Sequence, residues 1–261
     1  MRTIDEPIFC LTTDTDWASD FALEDAFALF TERGIRATVF ATHASAVLDA
    51  FVSRGRSEVE IHPNFLPGSS HGKTFTAVID HMLRIVPRAR SFRAHTAFDA
   101  AAVTSQMYAR GFRYDSNLGL HFQPNLVPLR HASGLVRFPI FWEDDVHWHD
   151  TGGDWNVVRY LPAFLSPGLK ILNVHPFFIT TNIPHHDYYL RIKPHITTLS
   201  ADTIADVRHD GPGVRTFLIA LLDELAARGM KFHLLSELYA MFPICDFLAA
   251  SPDGRAIGQP R

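Results

Sequence analysis

Cysteine is nearly absent from this chain: Cys10 and Cys245 are the only two in 261 residues. Two thiols cannot build a disulfide framework, and their scarcity fits a reducing compartment. Cys10 lies inside an apolar run and reads as core. No apolar stretch approaches the roughly 20 residues of a bilayer-crossing helix, so no membrane span is expected. Positive charge is not in excess either. The net charge of −4 argues against a nucleic-acid partner. Met1 to Pro7 is polar and lacks the three-part form of a secretory signal, which makes a cytoplasmic location the expectation. A Gly-rich phosphate loop and a nucleophile elbow are missing too. Internal repeats, low-complexity segments and linkers are not found, so residues 1–261 read as one domain.

What the chain does have is apolar mass and histidine. It is 47% hydrophobic with 21 Phe, enough for a sizeable core. The count of 15 His stands out; most must be structural or surface residues, so the question is which few sit where chemistry can happen.

The first half alternates between short apolar runs and amphipathic stretches. Strands are expected at Ile8–Thr13, Ile35–Ala41, Glu58–His62, Ser91–His95 and Gly111–Tyr114. Helices are expected between them, near residues 21–33, 44–54, 73–86 and 99–110, with Gly34 and Gly55 closing the first two. Repeated β-α units imply a parallel α/β sheet with right-handed crossovers, most economically a barrel. Residues 118–182 are irregular, with strand candidates at Val136–Trp142 and Leu169–His175. Pro184 to Gly213 reads as a surface excursion, followed by a helix to Arg228 and a strand at Met230–Leu235. The tail from Ser251 is polar and reads as loose.

The first run ends in Asp14-Thr15-Asp16. Residues two apart on a strand share a face, so the two carboxylates would repel unless a cation or proton lay between them. The competing reading makes Asp16 the N-cap of the next helix. Other strand ends shift the balance. His62-Pro63-Asn64 closes the third, Arg93 and His95 lie on the fourth, and Asp115-Ser116-Asn117 follow the fifth. Asn173-Val174-His175-Pro176 ends a later one. Proline holds the preceding residue extended, which fixes His62 and His175 where strands leave the sheet. In a parallel barrel these ends share one rim, the usual place of an active site. The punctuated loop from Pro63 to Ser70 can return His71 to that rim. Asp16, His62 and His71 then form a ligand set for a divalent transition metal, Zn²⁺ first among them.

With these segments in order, the chain resembles the polysaccharide deacetylases, metal-dependent carbohydrate esterases of NodB-homology fold. More narrowly it resembles the deacetylase-like proteins of bacterial surface-polysaccharide (O-antigen) loci. The matching segments are Thr12 to Asp16, Glu60 to Asn64, Phe92 to His95, Gly111 to Asn117 and Leu172 to His175. The resemblance implies a distorted (β/α) barrel of about seven strands. It also implies that Asp14 is the catalytic base, Asp16 a metal ligand, His62 the first histidine ligand, Arg93 the group orienting the base, and His175 the catalytic acid. Three positions depart from the family pattern. Leu66 stands four after His62, so His71 takes the place of the second histidine ligand. Ala94-His95 follows Arg93 where the family has a proline. Asn173 occupies the place of a leucine two residues before the acid histidine. Trp142-Glu143-Asp144-Asp145 matches the Trp- and Asp-bearing motif loosely. The expected substrate contacts are Asn64, Trp142, Asp144 and Asn173.

Removal of an acetyl group from an N-acetylated sugar is the activity this implies. The substrate would be a nucleotide- or lipid-linked precursor of a surface polysaccharide. A non-catalytic carbohydrate-binding protein on the same barrel is the alternative of a different class, and an amidase acting on a non-sugar amide is a third. His147-Trp148-His149 reads as one strand face lining a surface or groove, and His185-His186-Asp187 as solvated loop. Trp142, Trp148 and Trp155 could stack on sugar rings or pack into the core.

Overall fold

The computed structural model describes residues 4–54 and 57–242. Expectations for Gly55, Cys245 and the tail from Ser251 fall outside these residues. Ile8 to Leu11 are apolar on both faces, as a strand covered from both sides must be. They form the middle of β1 (Pro7–Asp14), an interior strand of the sheet. The other strands are β2 (Ala37–Ala41), β3 (Glu58–Ile61), β4 (Ser91–Phe92), β5 (Tyr114–Asp115), β6 (Leu129–Arg130), β7 (Val136–Arg137), β8 (Ile140–Glu143), β9 (Gly168–Val174) and β10 (Phe232–His233). Their order is β6-β7-β5-β4-β3-β2-β1-β9-β8, with β10 pairing at the base of β1. Among the described residues only β6 against β7 is antiparallel. The sheet curls until Gly119, just past β5, bridges to Ile140 of β8. The result is a curled, mostly parallel half-barrel, as the sequence pattern leads one to expect.

Ten strands form among the described residues rather than about seven, because five are only two residues long and too short to carry a periodic signal. The run Val136–Trp142 is not one strand. Pro139 lacks an N–H for the ladder and splits it into β7 beside β5 and β8 beside β9. The helix Asp20–Glu32 buries Leu23, Ala26, Phe27 and Phe30 on one stripe. Its N-cap is Ser19, whose Oγ accepts from the Ala22 N–H at 3.4 Å, so Asp16 is not the cap. The stretch from Pro184 to Gly213 is more ordered than a loop. It holds helices at His186–Ile192 and Ile204–Val207, the first capped by His185. Among the described residues no helix is long and apolar enough to cross a membrane.

The strand interiors are polar below the rim. Glu60 of β3 is buried, and its Oε2 accepts the backbone N–H groups of Arg90 at 2.7 Å and Ser91 at 2.8 Å. Burial outweighs those donors and pushes its pKa from 4.5 up to about 8. Below pH 4.5 both folded and unfolded chains hold this proton, and its contribution to stability is complete. Between 4.5 and about 8 only the folded chain holds it, so stability falls as pH rises through that window. Glu60→Gln imitates the neutral acid. Its urea midpoint should match wild type near pH 5 and exceed it near pH 9 (both about). A variant less stable than wild type at the higher pH would contradict this.

Candidate active site

The C-terminal ends of β1, β3, β4, β5, β8 and β9 meet on one rim. β1 ends at Asp14, and the chain then turns sharply, with Asp16 and Trp17 at left-handed φ of 42° and 56°. The two carboxylates therefore do not lie side by side on an extended strand. Asp14 faces the guanidinium of Arg93, and Asp16 faces the histidines.

Asp14 Oδ1 accepts from Arg93 Nη1 at 2.9 Å, and Oδ2 accepts from Asn173 Nδ2 at 2.9 Å. Arg93 is 2% exposed. Its Nε donates to the Ser116 carbonyl at 2.7 Å, its Nη2 to Ser116 Oγ at 2.7 Å, and its Nη1 also to Thr12 Oγ1 at 2.9 Å and to Asn173 Oδ1. A carboxylate held by two fixed donors keeps its orientation, which a general base requires.

Asp16 Oδ1 lies 3.0 Å from His62 Nε2 and 3.1 Å from His95 Nδ1. Ligand atoms of Asp16, His62 and His95 all fall within 4.8 Å of one another, so this triad could hold a metal ion. Burial opposes ionisation of Asp16, but hydrogen bonds from His62 and His95 hold its carboxyl well below the usual range. Burial likewise opposes protonation of His62, yet Asp14 and Asp16 raise its pKa above the ordinary value. One carboxylate oxygen shared by two imidazoles is a place where a divalent cation replaces two protons. The mixed oxygen and nitrogen donors suit zinc or a similar metal.

His71, expected as the third ligand, is not in this group. Its Nδ1 accepts the Asn64 N–H at 3.0 Å, which puts the ring proton on Nε2 and leaves no lone pair for a metal. Burial, then the neighbouring His81, pushes its pKa down to about 4 and keeps it neutral. His95 stands where His71 was expected. β4 stops at Phe92, and the turn His95–Ala97, with Thr96 and Ala97 at positive φ, swings His95 over the rim. The signal in the sequence was its position two residues after Arg93, among the strand-end groups.

His175 follows β9 and precedes Pro176. Its Nδ1 bonds Asp144 Oδ1 at 2.7 Å, and its backbone N–H donates to Asp144 Oδ2 at 2.8 Å. Nε2 faces the rim, 3.7 Å from Asp16 Oδ2. Burial favours the neutral ring, but Asp144, Asp16 and Asp145 together raise its pKa well above the ordinary value.

The expected substrate contacts need correction. Trp142 is 0% exposed and stacks on Phe217 with centroids 5.3 Å apart, so it presents no face to a sugar. Trp148 and Trp155 are buried as well. Asp144 and Asn173 are fully buried; Asp144 acts on the rim through His175, and Asn173 through Asp14 and Glu143. Asn64 Oδ1 closes its own loop by accepting the Leu66 N–H at 2.9 Å. His147 sits in the helix Asp144–Thr151, not on a strand, and bonds the Asp154 carbonyl at 2.8 Å. Two residues at the rim were not singled out. Trp17, half-buried, lies 5.2 Å from the His95 ring and 5.3 Å from that of His71. Glu143 bonds Asn173 beside the base. The first follows the paired aspartates directly, and the second opens the acidic run at 143–145.

The sequence profile of the WbmS-like polysaccharide deacetylases matches residues 11–193. A crystal structure from Bordetella bronchiseptica, of a protein described as a polysaccharide deacetylase involved in O-antigen biosynthesis, is similar with a TM-score of 0.75. The identity is 29%, over 85% of this chain and 91% of that one. A CE4 family pseudoenzyme from Bacillus anthracis gives a TM-score of 0.49 at 13% identity, over 90% of this chain and 66% of that one. A family 4 carbohydrate esterase from Streptomyces lividans in complex with acetate gives 0.45 at 14%, over 86% and 91%. No curated protein matches the chain.

The geometry predicts which histidines bind metal. Asp16→Ala, His62→Ala and His95→Ala should each weaken Zn²⁺ binding by about tenfold or more, measured by competition with a chelator, because each removes one of three donors. His71→Ala should leave it unchanged. Full affinity in His95→Ala would return the third position to another residue.

Proposed function

The chain belongs to the WbmS-like polysaccharide deacetylases, and from that premise we propose that it hydrolyses the N-acetyl group of an amino sugar. The observation that carries this reading is the placing of two differently equipped groups beside the Asp16, His62 and His95 triad. Asp14 is held by Arg93 and Asn173, and His175 is held by Asp144. A family of this kind implies an acetylated carbohydrate as substrate.

Asp16, His62 and His95 would hold the metal, with zinc the best match to the donors. When bound, such an ion polarises an acyl carbonyl and makes nearby water more acidic. Asp14 takes the proton from the attacking water. Arg93 and Asn173 keep its lone pairs aimed and stabilise its charge. His175 delivers a proton from Nε2 to the departing nitrogen as the C–N bond breaks. Asp144 on Nδ1 fixes the ring and favours its charged form. Trp17, half-exposed beside His95, offers an aromatic face for a sugar ring.

The Bordetella relative is described as acting in O-antigen biosynthesis, which favours a surface-polysaccharide precursor. Cys10 is a buried free thiol, in keeping with a reducing cytoplasm. A nucleotide- or lipid-linked acetamido sugar is therefore the substrate class proposed.

Zinc-loaded protein should release acetate from nucleotide-linked N-acetylated sugars and not from chitin oligomers or peptidoglycan. Asp14→Asn should keep its metal and lose turnover by a factor on the order of a hundred or more, the usual worth of a general base. Acetate from polymers alone would overturn the precursor reading. Near-normal turnover in Asp14→Asn would remove that residue from the mechanism.

A further inference from the structure

Glu143 has no part in the chemistry above, yet its carboxyl reaches the reacting centre. Ligand atoms of Asp14, Glu143 and His175 lie within 4.8 Å of one another. Two groups each about 2.9 Å from one tetrahedral nitrogen stand about 4.7 Å apart. A leaving nitrogen within reach of His175 therefore has room to turn its N–H toward Glu143.

The carboxyl is also aimed from behind. Asn173 Nδ2 donates to Glu143 Oε1 at 2.6 Å and to Asp14 Oδ2 at 2.9 Å. Asn173 Oδ1 accepts from Thr12 Oγ1 at 3.1 Å and from Arg93 Nη1. Flipping this amide would set its oxygen against two carboxyls and its NH₂ against a guanidinium, so the orientation is forced. Asn173 thus engages Oε1, while Oε2 has no hydrogen bond from any described residue. The side chain is half-buried, not sealed, and borders a cavity of about 100 Å³ with Gly119, Leu120, Ile140 and Trp142. Trp142 Nε1 is buried there without a partner.

The geometry points to Glu143 as the acceptor of the substrate's amide N–H, and so as the residue that selects N-acyl over O-acyl groups. The inference rests on the deacetylase reading for the reaction itself. An ester has no hydrogen at this position and would set oxygen lone pairs against Glu143 Oε2. The same oxygen accepts an N–H of the neutral amine that leaves once His175 has given up its proton. Asn173, which replaces an apolar side chain of the family pattern, is what orients the selecting group.

Glu143→Gln inverts the selection without changing size. Asn173 still demands an acceptor, so the glutamine oxygen faces it and the NH₂ takes the place of Oε2. Acetate release from N-acetylglucosamine should then fall about tenfold or more, because the substrate N–H loses its acceptor and meets a donor. Release from 2-O-acetylglucose should stay within about threefold or rise. Equal losses on both substrates would overturn the inference. Calorimetry on the zinc-loaded protein gives a readout without turnover. Wild type should bind glucosamine more tightly than glucose, and Glu143→Gln should lose that preference. No preference in wild type would also overturn it. A preference that vanishes in Glu143→Gln, with no acetate released from any acetamido sugar, would uphold Glu143 as the amine-reading group and reject the deacetylase reading alone.

Discussion

The charge on Arg93 is almost wholly removed from water, and the rim is arranged around satisfying it. Its nitrogens reach Ser116 beyond β5, Thr12 and Asp14 on β1, and Asn173 on β9. The Phe40 ring of β2 lies 4.5 Å from the guanidinium carbon. One side chain following β4 thus fastens four other strands at their functional ends. Removing either partner of such a buried pair costs about 3–5 kcal/mol, because the remaining charge has no substitute for water. The strand ends cannot shift independently, and Asp14 cannot rotate. A base that must meet a water in one place is fixed by the same contacts that hold the sheet together there.

Around that cation the acids are kept apart by giving each its own partner. Asp14 has Arg93, Asp16 has His62 and His95, and Asp144 has His175. Glu143 and Asp145 are left with weaker compensation, and burial raises the pKa of both. Charges of one sign at this density are tolerable only where protons or a cation neutralise the excess. The backbone also contributes. Asp16-Trp17 and Thr96-Ala97 are paired non-glycine residues at positive φ. Such conformations cost about 1–3 kcal/mol each and persist where surrounding structure imposes them. Here the two turns bring Asp16 and His95 to the same point from different strands.

The sequence by itself determined the parallel α/β architecture, because short, largely apolar runs alternate with stretches of helical period. It also determined which strand ends carry carboxylate, guanidinium and imidazole groups. Asp14, Asp16, His62, Arg93 and His175 were all readable there, since strand periodicity and the His-Pro steps are local features. What only the tertiary structure decided is how these groups are shared out. His71 and His95 both reach the neighbourhood of Asp16, and no spacing rule separates them. The choice falls to a left-handed turn after His95 and to the Asn64 N–H that takes the lone pair of His71. Trp142 looked like a sugar platform until Phe217, far along the chain, covered it. Asn173 and Glu143 acquired their meaning only when β8 and β9 set them beside β1. Periodicity reports which face a residue occupies. Ligation, tautomer and hydrogen-bond direction depend on what other strands bring to that face, and those partners are distant in sequence.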